Sequence, residues 1–150
     1  MIDSFSGFSV NAKNELIEYL TDYLPEIEVH DPTADDEYTL DGTDYKVCIV
    51  RINTWKDPQH VSIKGNVAIE LVYSIASEIE EDSATIRELL MYDYVNGERI
   101  SKVFTSKEYN GVKYIFWMDF SNDYDTQYYP EVKEYRRIQT FEFIATIVHV

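Results

Sequence analysis

The chain has one cysteine, three histidines, few basic residues and no long apolar run, and each scarcity closes off a class of function. A lone Cys48 cannot form an internal disulfide, which points to a reducing compartment. Its place in the run Val47-Cys48-Ile49-Val50 makes it a small buried hydrophobe rather than a nucleophile. His30, His60 and His149 are scattered, with no His-x-x-x-His or Cys-x-x-Cys spacing to converge on a metal. Apolar runs such as YIFWM reach only about five or six residues, far short of a membrane span. The first residues include Asp3 and no basic stretch, so no signal peptide is expected. Lys and Arg number 13 against 28 Asp and Glu, a net charge of −15, which opposes binding to a phosphate backbone. There is no G-x-S-x-G, P-loop or G-x-G-x-x-G. Asp44-Tyr45-Lys46 matches the acid-x-lysine element of metal-dependent nucleases only superficially, because the apolar strand follows the triplet instead of leading into it.

What the chain does have is apolar and aromatic residues, 45% and 15%, enough for one substantial core. Thirteen of its aromatics are tyrosines, which suit half-buried sheets and subunit contacts. From Val61 to Ile75 every odd position except Gly65 is apolar, while the even positions include Ser62, Lys64, Asn66, Glu70 and Ser74. This period of two predicts one long strand over 60–75 with one buried face, bent or bulged at Gly65. A hairpin at Gly65-Asn66 is excluded because it would set Lys64 beside Val67 and Val61 beside Glu70.

Around this axis the chain reads in order. Helical spacing of Ala12, Leu16, Tyr19, Leu20, Tyr23 and Leu24 predicts a helix from Val10, capped by Ser9 or Asn11 and ended by Pro25. A short strand at Ile27 and Val29 precedes an acidic loop over 31–44, with a small hairpin at Asp41-Gly42, and a strand over 47–55. An acidic link over 77–82 leads to a helix capped by Ser83, its face marked by Ile86, Leu89, Leu90 and Tyr94, with Asn96-Gly97 as the stop. Asn110-Gly111 predicts a hairpin between 102–109 and 112–120, in a register that sets Lys102 opposite Asp119 and Glu108 opposite Lys113. A loop over 121–134 leads to a terminal strand, YRRIQTFEFIATIVHV, that lies inside the sheet. No repeat, low-complexity tract or linker divides residues 1–150. The expected fold is a single α+β domain: a largely antiparallel or mixed sheet, two α-helices packed on one face and an extended β-hairpin.

Two groups of charges stand out. Asp35, Asp36 and Glu37 in the first loop, and Asp123 and Asp125 in the second, lack the glycine and glutamate spacing of a calcium loop and read as solvated acids. Lys133, Arg136 and Arg137 form a small basic site that could receive acidic loops of a neighbouring copy.

The segment YDTQYYPEVKEYRRIQTFEFIATIVHV, with the strands KVCIVRI and VAIELVYSI, resembles the tail terminator, or tail completion, proteins of long-tailed bacteriophages. The resemblance implies a virion assembly protein without enzymatic activity or cofactor. It would form a homo-oligomeric, hexameric ring that caps the tail tube, ends its polymerisation and makes the head-tail junction. The implied partners are the tail tube protein and a head-connector protein. DNA would pass through without specific binding, helped by an acidic lumen. There would be no membrane contact, and the ring would be built in the host bacterial cytoplasm. Lys133, Arg136, Arg137 and the acids named above would then lie at subunit contacts or the channel. The competing reading is an acidic DNA mimic that inhibits a restriction enzyme or another DNA-binding protein.

Overall fold

The structure is a computed structural model and describes residues 7–32, 44–56 and 62–149. The hairpin expected at Asp41-Gly42 lies outside these residues, as do Asp35, Asp36 and Glu37.

The axial strand is present as β3 (Ile63–Tyr73), flanked by β2 (Lys46–Lys56) and the terminal strand β9 (Glu134–His149), both antiparallel to it. Both registers run unbroken through Gly65, so the strand is neither bulged nor folded there. Glycine is needed for another reason: a Cβ would overlap the Asn53 carbonyl oxygen and come within 2.7 Å of the Phe143 ring. The bulge falls instead between Phe120 and Asn122 in β7 (Val112–Asp123), which pairs with the far side of β9. With β1 (Glu28–His30) parallel to β2, and β6 (Phe104–Thr105) on the edge of β7, the order is β1-β2-β3-β9-β7-β6. The terminal strand is therefore interior, as its apolar character on both faces requires. Within the segment expected to be a loop, β8 (Gln127–Tyr129) continues the line of β7 along the start of β9.

Both helices pack on one face of this sheet, as expected for the α+β class. Helix α1 (Phe8–Tyr23) buries Phe8, Ala12, Leu16 and Leu20, a strict i, i+4 stripe. The helix begins before Val10 because Phe8 belongs to the core, with its ring 5.3 Å from those of Tyr114 and Phe143. Ser9 and Asn11 therefore lie inside the helix, and neither caps it. Leu24 closes it through an N–H bond to Leu20 O, with Pro25 beyond.

Helix α2 (Ile79–Met91) departs further from expectation. The acidic link is its first turn, where Glu80, Glu81 and Asp82 complement the N-terminal dipole, and Ser83 is buried inside it. The helix stops at Met91, and Asn96-Gly97 turns a separate ribbon of β4 (Tyr92–Val95) and β5 (Glu98–Ser101). Asn96 and Gly97 have φ of 52° and 78°, the left-handed pair of a two-residue hairpin turn. Tyr94, expected on the helix face, lies in this ribbon.

Asn110 and Gly111 adopt the same pair of conformations, φ 50° and 80°, and Tyr109 bridges Val112 as the sequence predicts. The register then slips by one residue, to Phe104 opposite Phe116, because Ser106 enters the ladder: its Oγ accepts the Tyr114 N–H at 2.9 Å. The expected pairing of Lys102 with Asp119 consequently fails, and Lys102 lies 3.7 Å from Asp93.

Candidate functional site

The sheet has two unlike faces. In β3 the odd positions, and in β9 the odd positions from Gln139 to Ala145, meet the helices, together with Tyr114, Phe116, Met118 and Phe120 of β7. The opposite face has no helix on it among the described residues. It carries Arg51, Lys64, Asn66, Glu70, Trp117, Asp119, Glu142, Ile144 and Val148.

The basic trio read from the sequence is dispersed by the fold. Arg137 faces the helix side, where Nε and Nη2 donate to Asp123 at 3.0 and 2.9 Å, and Nη1 donates to Thr126 at 3.1 Å with Glu80 at 3.6 Å. Hydrogen bonding to Asp123 pushes the guanidinium pKa upward, and Asp125 adds to the effect from a distance. Two residues expected at a subunit contact, Arg137 and Asp123, thus hold each other within the chain. Arg136 faces the other side, donates to Glu134 at 2.9 Å and lies over the Tyr129 ring, 5.1 Å from its centre. Glu134 is buried and also accepts the Tyr45 hydroxyl at 3.1 Å. Asp125 and Lys133 are exposed, Lys133 with φ 54° in the turn after β8.

A second polar centre joins three elements that the sequence keeps apart. The buried Tyr73 donates to Asp82 at 2.5 Å, and Lys46 reaches both Asp82, at 3.3 Å, and Glu78. Burial first, and then Asp82, drive the Tyr73 pKa far upward, while Lys46 is raised by its bond to Glu78. Lys46 therefore serves α2 and not a pair with Asp44. Alternation hid this centre, because Tyr73 and Asp82 read separately as one core aromatic and one linker acid.

Cys48 is buried, which pushes its thiol up to about 12. Among the described residues no three His, Cys, Asp or Glu side chains gather to hold a metal ion, and no helix is long and apolar enough to cross a membrane.

The surface charge that remains is nearly all negative. Lys13, Lys46, Arg51, Arg99, Lys102, Lys107, Arg136 and Arg137 each hold a carboxylate of the same chain. Arg87 lies over the Phe120 ring. With 28 acids in the sequence, most carboxylates have no cation to match.

No protein-family model and no curated protein matches the chain. Among solved structures similar to the chain, one matches over 98% of this chain and 99% of its own, at TM-score 0.57 and 13% identity. That likeness concerns the fold alone.

Proposed function

We propose that the chain is an assembly protein of the tail-terminator kind, acting as a homo-oligomeric ring at the end of a phage tail tube. The observation that carries the reading is the distribution of charge. Most of the 13 cations pair with carboxylates of the same chain, so the solvent meets a predominantly acidic surface that sheds DNA rather than binding it. Exposed apolar side chains supply material for contacts between chains: Tyr94, Val95 and Ile100 on the β4–β5 ribbon, and Tyr124, Tyr128, Tyr129 and Val132 around β8. The partners proposed are the tail tube protein and a head-connector protein, with the ring located in the virion.

The intrachain grip of Arg137 and Arg136 shifts the proposed subunit contacts away from the arginines and toward these tyrosine-rich surfaces. Light scattering at micromolar concentration tests the ring through a mass about six times that of the chain. Electron microscopy of tails made without the protein tests its role, with overlong tubes as the expected result. Tails of normal length would end this reading. A monomer that competes with DNA for a DNA-binding enzyme would establish the acidic mimic instead.

A further inference from the structure

On the helix-free face Val47, Ile49 and Val72 are buried with Tyr45 packed against them, whereas the part over β7 and β9 is exposed, acidic and apolar together. Trp117 and Ile144 are register partners on adjacent strands, and Lys64 pairs with Ile144 on the other side. One step along, Asp119 stands directly opposite Glu142. Lys64, Trp117, Asp119, Glu142 and Ile144 line a depression of about 220 Å³. Ile144 is 37% exposed and Val148, further along β9, is 41% exposed.

Like charges directly opposite one another on neighbouring strands destabilise a sheet. Elsewhere on this face the fold answers such a charge: Glu70 receives Arg51 at 3.1 Å, and Glu134 receives Arg136. Among the described residues, Asp119 and Glu142 form no ion pair, and Lys64 reaches neither of them. Trp117 lines the same depression as the two acids, so the complement that suits all three is a flat, delocalised charge that can bridge two carboxylates and stack on a ring. A guanidinium has that shape, and an ammonium does not.

We infer that this open face docks a basic partner protein, which places an arginine side chain against Trp117 and between Asp119 and Glu142. The inference does not rest on the ring. A second copy of this chain is a poor donor, because Arg51, Arg99, Arg136 and Arg137 hold their own carboxylates and Arg87 lies over Phe120.

The test uses the full chain and the peptide acetyl-Gly-Val-Arg-Val-Gly-amide, with its uncharged citrulline twin as control. The Trp117 indole N–H resonance, assigned by its loss in Trp117→Phe, should shift saturably with a Kd on the order of 1 mM or tighter. Binding should weaken at least about tenfold for the citrulline peptide and for Asp119→Asn/Glu142→Gln, since neither keeps the charge pair. The double variant must also remain folded. Relief of the repulsion should raise its thermal midpoint by about 1–3 °C. Equal shifts with citrulline, or an equal response in the double variant, would overturn the proposal. So would the same shift on raising protein concentration alone, which indicates a second copy, or with calcium chloride, which indicates a simple cation site. A fall in the midpoint would show that the carboxylates are already satisfied within the chain, and would overturn it too.

Discussion

At the scale of single residues, two small side chains separate a local from a tertiary cause. Ser83 before an apolar periodic run has the form of a helix cap, and removing a cap costs about 1 kcal/mol. Here it is buried inside α2, and its Oγ has no hydrogen-bond partner among the described residues. Ser83→Ala should therefore stabilise, by about 0.5–1 kcal/mol from better helix propensity and a relieved buried hydroxyl. Urea denaturation reads this directly, and a loss of stability would put the helix start back at Ser83. Gly65 works the other way. Because a Cβ there meets a backbone carbonyl and an aromatic ring between two unbroken ladders, Gly65→Ala should destabilise by about 3 kcal/mol, the upper end for overpacking. A change below about 1 kcal/mol in the same measurement would mean that the sheet yields locally.

At the scale of elements, legibility followed locality. The period of two made β3 readable, and the terminal run of apolar residues made β9 readable as an interior strand, since each signal resides in the element's own residues. The boundaries of α2 were not readable. Its acidic first turn resembles a solvated link unless the helix dipole is considered, and its end depends on Asn96-Gly97 turning a ribbon instead of stopping a helix. The hairpin rule applied correctly at Asn110-Gly111 holds at Asn96-Gly97 as well, but Tyr94 at helical spacing from Leu90 masked the alternation. Site residues were the least legible. The sequence places Arg136 and Arg137 side by side, while strand geometry sends them to opposite faces to meet Glu134 and Asp123. The contact that docks α2 onto the sheet, Tyr73 and Lys46 on Asp82, is long-range and leaves no local trace. It has a definite consequence in alkali. Tyr73 and Lys46 have folded pKa values above their ordinary 10.0 and 10.5, so their contribution to stability is complete below pH 10. Above that, the unfolded chain releases protons that the native state retains, and stability falls. Asp82→Ala should lower stability at pH 7 by about 1–3 kcal/mol by stranding the Tyr73 hydroxyl, and should make the alkaline loss shallower. Thermal melts from pH 8 to 11 of both proteins test it, and parallel curves would remove Asp82 from the linkage.

At the scale of the molecule, the opposing roles of charge can be separated by salt. Each copy carries −15, and its cations are largely used within the chain, so copies repel one another over distances comparable to the Debye length. That length falls from about 10 Å at 0.1 M to about 3 Å at 1 M. The partly buried pairs, such as Asp123 with Arg137 and Lys13 with Asp31 at 2.9 Å, are screened far less than this long-range repulsion, and the exposed pairs contribute only about 0–1 kcal/mol each. Added salt should therefore raise the thermal midpoint of the chain and favour the proposed ring, whose contacts are tyrosine-rich and apolar. The arginine-dependent docking on the Trp117 face should weaken under the same change. Light scattering, melting curves and the peptide titration at 50 and 500 mM sodium chloride give these three signs in one series. If the oligomer instead dissolves as salt is added, ion pairs between copies hold it together, and the exposed Lys133 with the acidic loops becomes the contact to examine.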